Sequence, residues 1–172
     1  STAQIYRLGS GESRGYPVAA IQRAIQLKNT YNIRVINLSL GRPVYESYKT
    51  DPLCQAVAQA WKAGIVVVVA AGNHGRNNSA GNKGYGTITS PGNSPYVITV
   101  GSMKSMGTPW RSDDQIAGYS SKGPTAIDHL AKPDLVAPGN KIVSVLGTAG
   151  YLDMFFKSNI VPLSYYSSAL YA

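Results

Sequence analysis

Residues 65–73 read IVVVVAAGN, and this stretch decides the fold class. An uninterrupted apolar, β-branched run is typical of a strand buried on both faces, as in a parallel sheet covered by helices. A helix signal precedes the run: Asp51 can cap a first turn that contains Pro52, and Gly64 ends the apolar periodicity. This alternation of helix and strand predicts an α/β domain with a mostly parallel sheet layered with helices.

The same pattern extends in both directions from this stretch. We predict a helix over residues 17–29 and strands over residues 35–40, 97–100 and 142–146. With 172 residues, the chain is the size of one domain. Its expected parts are an irregular arm at 1–16, a core at 17–146 and an aromatic tail at 147–172 that the sequence pattern does not place.

Composition narrows the classes of function. Apolar residues make up 44% of the chain and charged residues 14%, which fits a well-buried globular protein. The net charge is +8, but Lys and Arg occur singly along the chain, so we expect no nucleic-acid binding. No apolar stretch reaches the roughly 18 to 20 residues of a membrane span, so no membrane association is expected. The single cysteine excludes an internal disulfide and leaves the compartment open.

Four sequence stretches carry a family resemblance. They are VINLSLG at 35–41, VVAAGN at 68–73, SPG at 90–92 leading into VITVG at 97–101, and YSSKGP at 119–124 with KPDLVAPG at 132–139. Their order and spacing are similar to those of the core of subtilisin-like serine peptidases, over about residues 18–146. The resemblance implies a truncated subtilisin-like fold, whose family hydrolyses peptide bonds through an acyl-enzyme.

The resemblance also implies roles for individual residues. Ser39, Leu40 and Gly41 inherit the edge that pairs with an extended peptide substrate and lines its main side-chain pocket. Ala71 and Gly72 inherit the substrate-binding end of the next strand. Asn73 inherits the side-chain amide that donates a hydrogen bond to the developing oxyanion.

The sequence departs from the family pattern mainly because it lacks the motifs of the catalytic triad. No aspartate is followed by Ser or Thr and then Gly, and His74 and His129 lie outside the family's histidine motif. Residues 147–150 read GTAG, with alanine where the nucleophilic serine would stand. We therefore expect a chain that starts after the histidine segment and stops before the serine segment, and that is not a triad protease on its own.

Two further functions stay open for this sequence. Asn73 and His74 could form the catalytic pair of a small hydrolase of activated esters or phosphoesters, because a histidine titrates near neutral pH and can bind a metal. His74 could equally be an exposed loop histidine, and the chain could then serve as a non-catalytic interaction module. The expected partner is accordingly a peptide or a small ester-like substrate.

Further side chains have competing interpretations. Asp113-Asp114 and Asp128-His129 could hold a metal if they came together, but solvated loop acids are the simpler interpretation, so no metal site and no cofactor are assigned. Cys54 lies in the first turn of a predicted helix, where the helix dipole can lower a thiol pKa, although a small buried core residue is more common.

The family resemblance also predicts association. In such a sheet the strand at 35–40 is flanked by strands that precede the histidine segment, so its outer edge would be bare here. Helices that cover the sheet would be missing too, which exposes apolar surface. We expect a homodimer or a small closed oligomer, unless the arm at 1–16 or the aromatic tail covers this surface.

Overall fold

A computed structural model gives the fold and describes residues 2–5, 16–144 and 150–161. Its chain forms two compact units, residues 1–140 and residues 141–172. Within the described ranges, every helix is too short or too polar to cross a lipid bilayer.

The first unit is built on a six-stranded sheet. Its strands are β1 (Thr2–Ile5), β2 (Val35–Leu38), β3 (Val66–Ala70), β4 (Ile98–Lys104), β5 (Gln115–Ile116) and β6 (Leu135–Pro138). The first four lie side by side in chain order and are parallel, and β6 pairs in parallel with β4. Only β5 is antiparallel among the described strands. The predicted α/β class with a mostly parallel sheet is confirmed.

The described part of this unit has three α-helices: α1 (Tyr16–Gln26), α2 (Lys28–Tyr31) and α3 (Pro52–Lys62). Ile21 of α1 and Val57 of α3 are fully buried and share one apolar core with Ile36, Val67 and Val69 of the sheet. Alternate residues of β2 and β3 face this core, because successive side chains of a strand point to opposite faces.

The opposite face of the sheet is partly open. Val66 is 36% exposed, and Val68 and Ala70 on the same face are half-buried. Burial of this run on both faces was therefore a wrong prediction for the described residues. The reason is that α1 and α3 both pack against the same side of the sheet.

The signals at the ends of α3 are confirmed. Asp51 caps the helix, accepting hydrogen bonds from the N–H groups of Leu53 and Cys54 at 2.8 and 3.3 Å. Gly64 has a φ of +75°, a conformation that glycine adopts without strain. Lys28 donates a hydrogen bond from Nζ to the carbonyl of Ala63, which satisfies the free C-terminal end of the helix.

The helix predicted over residues 17–29 is divided. Helix α1 ends at Gln26, and α2 continues over Lys28–Tyr31 before Asn32 adopts a left-handed conformation with a φ of +50°. Asparagine tolerates this conformation better than most residues, so the turn stops at Asn32 and not at Asn29.

Two strands differ from the sequence expectation. Thr2–Ile5 forms β1 and pairs with β2 along its outer edge, where an irregular arm was predicted. The bare edge at 35–40 was therefore a wrong expectation, because β1 of the same chain occupies it. At the other end, residues 142–144 form no strand and residues 145–146 lie outside the described ranges. The sheet contains β6, which pairs with β4 and which the sequence pattern did not predict.

The second unit contains the start of the aromatic tail. Helix α4 (Tyr151–Phe155) is followed by a 3₁₀ turn at Lys157–Asn159. The ring of Tyr151 lies 4.9 Å from that of Phe155 and 5.8 Å from that of Phe156, between centroids. Residues 147–149 of the GTAG sequence and the end of the tail, residues 162–172, fall outside the described residues.

Candidate functional site

Three segments meet at the carboxyl end of the sheet. Residues 39–41 follow β2 and residues 71–73 follow β3, so the parallel pairing of these strands brings them to one edge. Thr89 donates its N–H to the carbonyl of Ala71 at 3.1 Å. Arg42 and Ser90 form an antiparallel bridge, with N–H to carbonyl distances of 3.0 and 2.9 Å. The predicted substrate-binding segments therefore lie together, joined by residues 89–90.

Two glycines give this site its shape. A Cβ on Gly41 would come within 3.0 Å of Thr89 Cβ, and a Cβ on Gly72 would come within 2.8 Å of Thr89 Cγ2 and of Ser121 Oγ. Gly72 also has a φ of +106°, which side chains rarely tolerate. Any larger residue at either position would collide with Thr89, so both strand ends need glycine here.

Thr89 and Ser121 are site residues that sequence reasoning missed. Thr89 is 5% exposed and Ser121 is 2% exposed, and both lie against Gly72. Ser121 also donates its N–H to the carbonyl of Gly72 at 2.9 Å. Ser121 lies in the YSSKGP stretch that carries the family resemblance, but neither it nor Thr89 could be placed beside Gly72 from the sequence, because the contacts depend on the pairing of distant segments.

Asn73 and His74 lie at the mouth of this site. Both are exposed, and within the described residues the side chains of both lack a hydrogen-bond partner. The backbone N–H of His74 donates to Ser121 Oγ at 3.1 Å, which fixes the chain just after Asn73. The other histidine, His129, lies on a separate loop, where its N–H donates to the carbonyl of Thr125 at 3.1 Å.

The residues after β2 differ in exposure. Ser39 is exposed and accepts a hydrogen bond at Oγ from Asn37 Nδ2 at 3.3 Å. Leu40 is half-buried and packs against the apolar core. The chain therefore presents Ser39 and Gly41 to solvent and uses the side chain of Leu40 as an anchor.

A buried polar network centred on Asp51 holds the segments of the site together. Asp51 is 0% exposed and accepts hydrogen bonds from Ser90 Oγ at 2.7 Å and from its two helix N–H groups. Arg42 Nη2 completes the set of Asp51 partners at 2.8 Å. Burial of a carboxylate is tolerated when it is fully paired in this way. The network links the segment after Gly41, the start of α3 and the segment after Thr89.

Cys54 belongs to the same buried region. Burial, together with the nearby negative charge of Asp51, raises the pKa of its thiol to about 12. Its Sγ donates to Asn93 Oδ1 at 3.3 Å. The interpretation of Cys54 as a small core residue is confirmed, and the helix dipole does not make it a reactive thiolate.

The candidate metal ligands are engaged in loop contacts. Asp113 accepts a hydrogen bond from Thr108 Oγ1 at 2.8 Å. Asp128 accepts from Ser47 Oγ at 2.5 Å and from the N–H of Tyr48 at 3.0 Å, so it ties two loops together and is not a solvated acid. In the described part of the chain, no group of three His, Cys, Asp or Glu side chains could hold a metal ion.

Comparison with known proteins places this geometry in a family. The subtilase family (peptidase S8) matches residues 1–167. Serine protease AprX of Bacillus subtilis (strain 168) is 42% identical over 137 residues, which are 78% of this chain and 29% of AprX. Subtilisin E of the same organism is 36% identical over 121 residues, 69% of this chain and 26% of that protein. The chain thus spans less than a third of either relative.

A solved structure agrees with the sequence relatives. Sphericase superimposes with a TM-score of 0.60 at 28% identity, over 80% of this chain and 42% of that one. The match shows the same fold class. The chain belongs to the subtilase family of subtilisin-like serine peptidases.

Proposed function

We propose that this chain is the peptide-binding part of a subtilisin-like serine endopeptidase and does not perform triad proteolysis on its own. The observation that carries the proposal is the pair of glycines, Gly41 and Gly72, held against Thr89 at the carboxyl ends of two parallel strands. Open α/β sheets bind their ligands at this end of the strands. Glycine at these two strand ends lets Thr89 pack closely against both, which fixes the shape of this edge of the sheet.

An extended peptide is the ligand that suits this edge. Ser39 and Gly41 continue beyond the end of β2, and a peptide can pair with such a segment through main-chain hydrogen bonds. Thr89 packs against both Gly41 and Gly72, so the peptide would lie across these strand ends and not between them. Affinity would come from the main chain, and selectivity from the side chains of the loops around the strand ends.

The exposed amide of Asn73 would take part in the peptide-bond hydrolysis that the family performs. Directed at a carbonyl oxygen, it would stabilise the negative charge that develops there. Without a neighbouring nucleophile this gives binding and weak activation only. Hydrolysis of activated esters with His74 as the base is the second candidate, and it is supported by the two exposed, unpaired side chains at the same pocket mouth.

Association into a homodimer is proposed on the open sheet face. Because β1 covers the edge of β2, pairing of that edge with a second chain cannot be the cause of association. The partly exposed Val66, Val68 and Ala70 remain, and parallel sheets are normally covered on both faces. Light scattering over a range of concentrations tests this, and a constant monomer mass would contradict it.

Binding of short fluorescein-labelled peptides, followed by fluorescence anisotropy, tests the main proposal. Gly72→Ala should abolish binding, because the added Cβ meets Thr89 and Ser121. Gly107→Ala is the matched control, since Gly107 also has a positive φ of +78° but has open space around it. Equal affinity of both variants, with melting temperatures that match each other, would show that the pocket is misassigned. Stoichiometric labelling of a serine by a fluorophosphonate would contradict the absence of triad chemistry.

A further inference from the structure

The loops beside the pocket carry charge of one sign. Residues 71–93 contain Arg76 and Lys83, residues 117–123 contain Lys122, and neither segment contains an aspartate or a glutamate. We call Arg76, Lys83 and Lys122 the basic wall. The chain has 16 basic and 8 acidic residues, so the absence of acids from both segments adds to a general positive excess.

These two segments pack against each other and against the pocket. Besides the Ser121 to Gly72 bond, the N–H of Gly75 donates to the carbonyl of Tyr119 at 3.0 Å. The N–H of Lys122 donates to Thr87 Oγ1 at 3.0 Å, two residues before Thr89. The basic wall is therefore part of the loop structure that forms the pocket.

The position of one of these cations is defined by contacts. Lys122 Nζ donates to the carbonyl of Lys83 at 2.9 Å and lies 5.4 Å from the centroid of the Tyr85 ring. These contacts hold its positive charge near the surface without neutralising it. Arg76 is exposed, and its Nε lies near Gly118.

The salt bridges of the described residues lie elsewhere. They are Arg42 with Asp51 and Lys132 with Asp134, so each of these cations is neutralised by its partner. The basic wall has no carboxylate partner in the described part of the chain. A loop cluster beside a pocket that holds three uncompensated cations attracts negative charge and repels cationic ligands.

We propose that the basic wall makes this site select peptides with acidic side chains. The inference rests on the proposed peptide-binding function and specifies its substrate class. A peptide is favoured over a nucleic acid because the cations are single and lie on loops that are hydrogen-bonded to Gly72 and Thr87 beside the strand ends. Aspartate or glutamate near the bound segment would pair with Arg76, Lys83 or Lys122 at the surface.

Three fluorescein-labelled peptides that differ only in one central residue, Asp, Ala or Lys, test the inference on the full chain. The Asp peptide should bind about fivefold more tightly than the Ala peptide, as expected for an exposed ion pair, and the Lys peptide more weakly than either. The advantage should shrink at high salt, because screening weakens exposed charge pairs.

The double variant Arg76→Gln/Lys83→Gln should bring the three affinities close together while the Ala peptide keeps its affinity. Lys62→Gln, on α3 outside both segments, is the charge control and should keep the preference. Equal binding of the three peptides to the unaltered chain would overturn the inference alone. Failure of every peptide to bind would overturn the proposed function as well. A labelled DNA duplex that binds more tightly than the Asp peptide, and is lost in the double variant, would assign the basic wall to nucleic acid instead.

Discussion

The guanidinium of Arg42 lies 2.8 Å from the carboxylate of Asp51, which is completely buried at the start of α3. The two residues are nine positions apart in the sequence, and the ion pair closes the loop between β2 and α3. The same carboxylate accepts a hydrogen bond from Ser90, so one side chain joins three segments of the chain. Stability and the shape of the candidate site therefore depend on the same residue.

Replacing Asp51 should be strongly destabilising. Asp51→Ala removes the helix cap and leaves Arg42 and Ser90 without their partner, and we expect a loss of about 3 kcal/mol in the free energy of unfolding. Urea denaturation gives the measurement. Asp113→Ala is the matched control, because Asp113 is exposed and bonded to a single threonine. A loss no larger than that of the control would show that the network contributes little.

Acid should weaken the attachment of the loop that precedes β6. Burial of Asp134 opposes ionisation, but hydrogen bonds from Lys132 and Thr99 and the charge of Lys132 outweigh it and lower the pKa of that carboxyl. Because the folded-state pKa lies below the unfolded-state value, the contribution to stability is present above the ordinary aspartate range. It is lost as the pH falls through the lowered pKa.

Thermal unfolding as a function of pH checks this contribution. Asp134→Asn should lower the melting temperature at neutral pH, and the difference from the unaltered chain should vanish in strong acid. A difference for Asp134→Asn that stays constant down to strong acid would mean that the ionised carboxylate is not what stabilises the fold.

Cys54 should be inert in the folded chain. Its raised pKa of about 12 keeps the thiol protonated at mildly alkaline pH, and its burial blocks access by reagents. A disulfide reagent should react with it fully in guanidinium chloride and only very slowly in native buffer. Rapid reaction without denaturant would contradict its placement in the core.

Any residual ester hydrolysis should depend on Asn73 and His74. Asn73→Ala and His74→Ala should each lower the rate on a p-nitrophenyl ester at least about tenfold, because they would remove the oxyanion donor and the base. His129→Ala is the matched control, since it removes the other histidine of the chain. If both pocket variants keep the full rate, hydrolysis occurs elsewhere or without a histidine.

Local signals made part of this fold predictable. The apolar run of β3 and the Asp51-Pro52 start of α3 depend on neighbouring residues, so the sequence pattern identifies them. β1 has four residues without a marked alternation, and only its pairing with β2 defines it as a strand. β6 likewise owes its place to β4, a strand that is distant from it in the sequence.

The candidate site likewise has residues that the sequence predicts and residues that it does not. Residues 39–41 and 71–73 carry sequence motifs, and the resemblance to a family identifies them. Thr89 becomes part of the site only when β2 and β3 align, and the bond between Ser90 and Asp51 joins residues 39 positions apart. Such contacts depend on tertiary packing, which a single sequence does not specify locally.

The order of strands in the sheet has a consequence for synthesis. β1, β2, β3 and β4 lie side by side in the order in which the ribosome would release them, and β6 adds to the last of these. Each new strand therefore finds its neighbour already made, and no strand has to insert between two that have already paired. Since chains emerge more slowly than local structure forms, the sheet can grow outward by one strand at a time.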